Sequence, residues 1–423
     1  MRHNHYLLTN GHIVDVETGQ IADGTIEIKD GIINHIFEEK DILPSDIEQV
    51  DAERKYIIPG LIDMHCHIQE KYAPHFVASG VTTIRNAAGD REILKPLIEA
   101  PIDAPTPGVY ACDALIDGEP GLWGPTAPGN FVTNDPDAAR QEVRRQAGVG
   151  AKFIKVYCLI KKDVLAAIVD EASKHNLEVA CDLIHSKEVD ALSAAKIGVT
   201  WFEHASGFAQ SMYPGWHLHA DKNEWNHINW QEPDKEKIMK LCKEMLSLNI
   251  KICPTMVVQD QAEKLPDYWN PKNAITDSSA QYFKGHWDGM LEHAELVREQ
   301  AGLLNEFVKT VAKTYADLGG TVVAGSDTPA IPGIFPGMSL HRELELFVEA
   351  GFSPLSALQA ATIRAAESID LHQIGLIQKS RLANLVILDK NPLEDISNTQ
   401  SIAYIVKGGK IYTQDEILAH DNN

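Results

Sequence analysis

The stretch "YIIPGLIDMHCHI", residues 56–68, determines the fold that we predict for this chain, because its apolar run ends in two histidines. Only Cys66 separates His65 from His67. Alternate side chains of a β-strand share a face, so this pair can bind one ion. Two hydrogen-bonded core histidines would give the same pattern, and the rest of the sequence is needed to separate the two interpretations.

Seven more segments have the composition of buried strands, and most are followed by an amphipathic helical segment. With the first, they cover residues 60–66, 81–87, 108–113, 152–157, 178–185, 200–205, 251–258 and 321–327. Strands that alternate with helices are typical of repeated βα units around a parallel sheet. Eight units predict a (β/α)8 barrel, the TIM-barrel fold, over residues 59–375. Two aromatic-rich interruptions, at about residues 207–234 and 259–290, are predicted to be lids or interface segments.

The two ends of the chain differ in pattern from the middle. Short alternating strands are separated by Asn-Gly, Asp-Gly and Gly-Gly turns, as in "YLLTNGHIVDV" and "IAYIVKGGKIYTQD". We therefore predict an α/β protein in which residues 1–58 and 376–423 together build a small β-sandwich domain beside the barrel.

Composition and charge exclude several classes of protein. The 423 residues are 44% hydrophobic, and no apolar run approaches the roughly 18 residues that a membrane span requires. A net charge of −22 disfavours binding to nucleic acid or anionic lipid. The six cysteines lack CxxC spacing, so neither a disulfide framework nor a thiolate zinc site is expected. Because the start of the chain shows no signal segment, we expect a cytoplasmic protein.

Polar residues recur at the carboxyl ends of the predicted barrel strands, where this fold builds its active site. Besides the histidine pair, these residues are Lys155, His185, His204 and Asp327. A lysine on the inner face of a barrel is costly as a bare cation. It could instead form a buried ion pair with Asp182 or Glu203. The shared position of these residues predicts one polar site at that end of the barrel.

These motifs, in this order, resemble the amidohydrolase superfamily, and within it the prolidase-like dipeptidases and imidazolonepropionase-like hydrolases. The resemblance runs through "PGLIDMHCH", "FIKVY", "AAKIGVTWFEHASG" and "AGSDTP" and covers nearly the whole chain. It implies that His65, His67 and Asp327 bind a first metal, that carboxylated Lys155 bridges two metals, and that His185 and His204 bind the second. Asp327 would also act as the catalytic base.

The resemblance also implies a reaction. A metal-activated hydroxide would cleave a C–N amide bond in a dipeptide or an N-acyl amino acid, as in a prolidase. Zn²⁺ is the expected ion, with two ions per chain bridged by carboxylated Lys155, because zinc suits histidine and carboxylate ligands. We further expect a homo-oligomer that acts on a small-molecule substrate.

One local departure leaves the metal site open. His185, in "CDLIHSKE", lies closer to the Glu-His pair of the next strand than in prolidase-like proteins, so the register of this ligand is unsettled. With Glu188 it forms an H-x-x-E pattern that resembles mononuclear hydrolases of cyclic amides and deaminases, where the glutamate shuttles protons. An acid favoured by a helix dipole would explain Glu188 equally well. A mononuclear enzyme and a non-catalytic relative therefore stay as alternatives.

A second departure concerns substrate binding. Prolidase-like proteins carry a Gly-Gly-His stretch after the third strand, and this chain has "LIDGEPGLWGP" there. We predict that the substrate is bound instead by Arg85, Trp123, Tyr157 and His341. A barrel ion pair, loop packing, a core position and a solvated helix start are their respective structural alternatives.

Overall fold

The computed structural model describes residues 5–419, in which strands from the two ends of the chain flank a middle of alternating strands and helices. The strands are β1 His5–Val14, β2 Ile21–Lys29, β3 Ile32–Glu38, β4 Glu48–Asp51, β5 Tyr56–Pro59, β6 Leu61–Cys66, β7 Val81–Asn86, β8 Gly108–Ala111, β9 Leu115–Asp117, β10 Asn130–Val132, β11 Ile154–Val156, β12 Val179–Cys181, β13 Trp201–Glu203, β14 Lys251–Cys253, β15 Thr321–Val322, β16 Leu385–Leu388, β17 Ile402–Lys407 and β18 Lys410–Tyr412.

The helices are short, and many begin at a residue whose side chain caps the first turn. They are α1 Ala73–Ala78, α2 Arg91–Ile98, α3 Pro136–Gly148, α4 Lys162–Lys174, α5 Ala191–Ile197, α6 Phe208–Met212, α7 Lys222–Asn226, α8 Lys235–Ser247, α9 Met256–Lys264, α10 Ala274–Ala280, α11 Lys284–Leu291, α12 Ala294–Gln300, α13 Asn305–Asp317, α14 Met338–Glu349, α15 Pro354–Ala360, α16 Ile363–Ser368 and α17 Gln414–Leu418. Single 3-10 turns cover Glu70–Tyr72, Gly302–Leu304 and Ile396–Gln400. Asp135, Asp190 and Ser353 each accept a backbone N–H at a helix start. Within residues 5–419, no helix combines the length and apolarity that crossing a bilayer requires.

The two ends of the chain share one eight-stranded sheet. Its order is β18-β17-β16-β5-β1-β2-β3, and β4 pairs with β1 outside this path. The connection between the ends is the antiparallel pairing of β16 with β5, in which Val386 lies opposite Ile58. A sandwich of two layers and the domain limits 1–58 and 376–423 stay predictions, and their outermost residues, 1–4 and 420–423, lie outside the described residues.

The middle of the chain forms two parallel sheets. One has seven strands in the order β10-β9-β11-β12-β13-β14-β15, and the other has the order β6-β7-β8. Backbone hydrogen bonds cross both gaps between them: Met64 N donates to Ala324 O at 2.9 Å, and Lys152 N donates to Ala111 O at 2.9 Å. The ladders nevertheless remain two sheets, so a closed barrel stays a prediction while the parallel α/β architecture is shown.

All eight predicted strands have a counterpart in the parallel sheets, but three of the predictions run too far, among them the strand predicted over 321–327, which ends at Val322. The strand predicted over 178–185 ends at Cys181, where Asp182 Oδ1 accepts a hydrogen bond from Ile184 N and starts a turn. The strand predicted over 251–258 ends at Cys253, because Pro254 has no N–H for the ladder and α9 begins at Met256. The two predicted insertions contain short helices, α6 and α7 in the first and most of α9 with α10 and α11 in the second.

An apolar cluster fills the space enclosed by the parallel strands. It contains Ile62, Met64, Cys112, Phe153, Ala180, Trp201, Cys253 and Val323. These residues come from four strands and from three positions next to a strand, and they belong to both sheets, so the cluster holds the sheets together.

Candidate active site

A cavity of about 540 Å³ opens where the parallel strands end, and polar side chains from both sheets line it. They include His65, His67, Lys155, Asp182, His185, His204 and Asp327. Carboxyl ends of parallel strands meet at one edge, which is why residues as distant in sequence as His65 and Asp327 share this cavity.

Three histidines surround the carboxylate of Asp327. Nε2 of His65 and Nε2 of His67 each lie 3.2 Å from Asp327 Oδ1. Nε2 of His204 lies 3.9 Å from Oδ2 of the same carboxylate. Ligand atoms of His65, His204 and Asp327 all fall within 4.8 Å of one another, which is close enough for one ion to contact them together.

The backbone brings these side chains together in an uncommon conformation. His204 has φ 60° and Asp327 has φ 56°, values that non-glycine residues rarely adopt and that cost about 1–3 kcal/mol each. Gly325 lets the two sheets approach, because a Cβ there would lie 2.7 Å from His65 N and 2.6 Å from Cys253 Sγ. Backbone strain of this kind concentrates at functional sites.

Glu203 and Arg85 support His65 from below. Nδ1 of His65 lies 2.7 Å from Glu203 Oε2, and Arg85 Nη1 donates to Glu203 Oε1 at 2.8 Å. The Arg85 guanidinium lies 4.0 Å from the Phe153 ring centroid and 4.4 Å from the Trp201 ring centroid. Burial raises the pKa of Glu203, but the charges of Arg85 and Lys155 outweigh burial and hold this pKa well below its ordinary value.

The donor set fits a metal ion. Burial raises the pKa of Asp327, but the charges of His204 and His65 outweigh it, so this pKa lies well below its ordinary value. Burial lowers the pKa of His65, but the carboxylates of Glu203 and Asp327 outweigh burial and raise it, so a proton on Nε2 can join His65 to Asp327. A divalent cation would take the place of that proton and bind both atoms.

Lys155 is a second reason to expect a metal ion in this cavity. It is 2% exposed, and within residues 5–419 its Nζ has no hydrogen-bond partner. Among the described residues, no carboxylate oxygen lies within 4.0 Å of this Nζ, so the ion pairs with Asp182 and Glu203 that the sequence allowed are not formed. A buried polar group without a partner is costly and requires an explanation.

Around the end of β12 two polar side chains, Asp182 and His185, border the cavity. His185 lies at the cavity wall but is half-buried, and its Nδ1 is 2.7 Å from Nε2 of His219. Asp182 is buried instead, and its Oδ2 lies 3.7 Å from Nε2 of His204. Sequence reasoning considered Asp182 only as an ion-pair partner, although its place directly after the strand was the available signal.

Two predicted functional residues lie away from the cavity. Glu188 is exposed and lines a separate surface pocket with Trp216 and His217, because the chain turns outward after β12. His341 is buried in α14, where its ring nitrogens lie 2.9 Å from Thr399 Oγ1 and 2.9 Å from Ser79 O. The structure therefore places neither residue where it could contact a substrate in the cavity.

The other three predicted substrate contacts divide into two groups. Arg85 is fully buried beneath the cavity in its pair with Glu203. Trp123 and Tyr157 both line the cavity, and Trp123 is 62% exposed. A large aromatic side chain left open at a cavity mouth is a frequent feature of binding sites.

Comparison with known proteins shows similarity in sequence over short stretches. A dihydroorotase of Carboxydothermus hydrogenoformans is 45% identical over 69 residues, covering 16% of each chain. An adenine deaminase of Listeria welshimeri is 35% identical over 114 residues, covering 23% of this chain and 19% of the deaminase. The chain therefore matches less than one fifth of the length of these curated relatives.

Similarity in fold extends over the whole chain. A solved Xaa-Pro dipeptidase with methionine bound in its active site superimposes with a TM-score of 0.69 at 20% sequence identity. The superposition covers 96% of this chain and 99% of the dipeptidase. The sequence profile of the amidohydrolase family matches residues 56–412, which include every strand that contributes to the cavity. This chain therefore belongs to the amidohydrolase family, as its motifs predicted.

Proposed function

We propose that this protein is a metal-dependent hydrolase that cleaves the C–N amide bond of an N-acyl amino acid or a dipeptide with apolar side groups. The observation that carries the proposal is the convergence of His65, His67 and His204 on the Asp327 carboxylate at one end of a largely apolar cavity. The chain belongs to the amidohydrolase family, whose members are metal-binding hydrolases of C–N bonds.

The metal would be held by His65, His67, His204 and Asp327, together with Lys155. Carbon dioxide would react with the free-amine form of the Lys155 Nζ: an N–C bond forms, one proton is released, and the buried side chain becomes an anion with two ligand oxygens. Zinc suits this mixture of imidazole and carboxylate, and two ions are the number we propose. When bound, the metal would polarise the substrate carbonyl and acidify a water molecule.

The chain's own residues would move the proton. The Oδ atoms of Asp327 can take a proton from the water whose oxygen adds to the carbonyl carbon, and return it to the nitrogen as the C–N bond breaks. Glu203 holds the hydrogen on Nδ1 of His65, which keeps Nε2 free as a ligand atom.

The cavity walls support an apolar substrate. Away from the histidines they are formed largely by apolar side chains, among them Leu115, Trp123, Ile184, Leu218, Met290 and Ile331. Among the described residues at these walls, the histidines and Lys155 supply all the side chains that can carry positive charge. A substrate carboxylate would therefore meet His185 or His286, and an apolar acyl or side group would fill the rest.

An enzyme acting on a cyclic amide or an amino-substituted ring is the alternative, favoured by the local sequence similarity to dihydroorotase and adenine deaminase. In that reaction the exposed position of Glu188 would prevent it from shuttling protons in this cavity.

The test is a panel of N-acyl amino acids, dipeptides, ring amides and adenine, incubated with zinc-loaded protein and followed by mass spectrometry. We expect amine release from the linear amides, and a loss of about 100- to 10,000-fold in kcat/KM for Asp327→Asn. Turnover confined to the ring compounds would replace the proposal with the alternative, and equal turnover by Asp327→Asn would remove Asp327 from the chemistry.

A further inference from the structure

We propose that Asp182, rather than His185, is the metal ligand supplied by the end of β12. The inference rests on the proposed metal-dependent function and concerns which side chain completes its site. It gives this chain a carboxylate at a position where its sequence suggested an imidazole.

Strand pairing places Asp182 beside the other candidate ligands. Lys155 pairs with Ala180, and Ala180 pairs with Trp201 in the parallel ladder. Alternate side chains share a face of a strand, so Asp182 lies on the same face as Ala180, one step nearer the cavity. The next strand places His204 beside it, and Asp182 Oδ2 reaches to 3.7 Å from Nε2 of His204.

The orientation of Asp182 is fixed. Its side chain is 6% exposed, and Oδ1 accepts a hydrogen bond from Ile184 N at 3.0 Å. That bond directs Oδ2 toward His204 inside the cavity. A ligand atom that is already oriented in the folded chain loses little conformational freedom when an ion binds.

His185 is engaged elsewhere. It lies three residues further along, half-buried, with its ring stacked on His219 at a centroid distance of 4.8 Å. Nδ1 of His185 lies 2.7 Å from the His219 ring, and in the described part of the chain no carboxylate oxygen comes within 4.0 Å of either His185 ring nitrogen. The His219 contact occupies Nδ1, so His185 could bind an ion only through Nε2.

A carboxylate at this position changes the charge of the site. Two divalent ions would face three anionic groups, namely Asp327, carboxylated Lys155 and Asp182. Oxygen ligands suit harder ions better than imidazole does, so the site should accept Mn²⁺ more readily than a site with four histidines.

The experiment compares Asp182→Asn with His185→Ala in metal binding. Each protein is stripped with chelator and titrated with Co²⁺, with the visible absorption spectrum and the bound metal per chain as readouts. We expect Asp182→Asn to weaken one ion by at least about tenfold and to change the spectrum, while His185→Ala binds Co²⁺ within about twofold of the wild type. Asn keeps the acceptor for Ile184 N, and Asp182→His, which restores a ligand, should recover the second ion.

The opposite result would overturn the inference: metal loss in His185→Ala, or unchanged binding in Asp182→Asn. His185→Ala alters a half-buried side chain, so it gives an answer even if Asp182→Asn does not fold. Failure of the proposed function has a different signature, namely metal-loaded wild type that hydrolyses no amide while Asp182→Asn still loses its ion. Wild type that binds no divalent ion would overturn both.

Discussion

His65 Nδ1 and Glu203 Oε2 lie 2.7 Å apart, and neither side chain is more than 1% exposed. The same glutamate pairs with Arg85, so a buried cation and a candidate metal ligand share one carboxylate. This arrangement fixes the His65 ring and keeps a hydrogen on its Nδ1 before any ion binds. The first prediction follows from it.

Glu203→Gln should weaken metal binding by about 10- to 100-fold, because an amide does not stabilise the hydrogen on Nδ1 of His65 as a carboxylate does. Competition with a chelator of known affinity measures this change. Glu178→Gln is the matched control, since Glu178 pairs with Lys251 at a half-exposed position and should leave the affinity unchanged. Equal affinities in wild type and Glu203→Gln would show that the carboxylate does not support the site.

Gly325→Ala should destabilise the fold by about 1–3 kcal/mol, because the new methyl group would collide with Cys253 and the His65 backbone. Metal affinity should fall with it, since the collision displaces the end of β6. Urea denaturation measures the free energy of unfolding. Gly289→Ala is the control: no atom lies within 4 Å of its added Cβ in α11, and the change should stabilise by about 0.4–1 kcal/mol. A stable Gly325→Ala protein would mean that the two sheets can separate at little cost.

Trp123→Ala should reduce kcat/KM by about 5- to 50-fold for N-acyl amino acids with long or aromatic acyl groups, because the open indole loses its contact area with them. N-acetyl substrates, which are too small to reach it, should change by less than about twofold. Ile93→Ala removes another exposed apolar side chain, on α2, and serves as the control. An equal loss of kcat/KM for all acyl lengths would show instead that Trp123 stabilises its loop and does not contact the acyl group.

His341 should make the fold less stable in mild acid. Burial lowers the pKa of His341 to about 4, below its ordinary value of 6.5. The unfolded chain therefore takes up a proton first, and stability is complete above pH 6.5 and declines as the pH falls toward 4. At pH 5 the loss from this group is about 2 kcal/mol.

Urea unfolding at pH 7.5 and pH 5.0 tests this expectation. The difference between the two pH values should be about 2 kcal/mol smaller in His341→Gln than in the wild type, because other histidines titrate in both proteins. If the two proteins show the same pH dependence, folding does not lower the pKa of His341, and the expectation is wrong.

The sequence predicted the positions of the parallel strands because buried strands have continuous apolar composition that survives in any arrangement of neighbours. It also predicted that His65, His67, His204 and Asp327 share a site, since strand ends of one parallel sheet meet at one edge. These predictions need only local pattern and the order of elements.

The remaining features depend on contacts that local pattern does not encode. The turn after β12 is set by the hydrogen bond between Asp182 and Ile184, and it places Asp182 beside His204. Arg85 was predicted to bind substrate, but it pairs with Glu203. Local pattern does not reveal this pair, because Glu203 lies 118 residues away on another strand. The helices of the two insertions were not predicted, because they are short and pack through aromatic rings rather than through a regular apolar stripe.

The pairing of β16 with β5 has a consequence for biosynthesis. Until residue 388 has emerged from the ribosome, Ile57 and Ile58 have an open edge on the side that β16 will occupy. During translation β5 thus keeps unsatisfied main-chain groups on this edge until more than 300 further residues, up to β16, have been made. The sheet is therefore completed late in synthesis. A chain released before β16 is made would expose an unpaired strand edge that can pair with other chains and aggregate.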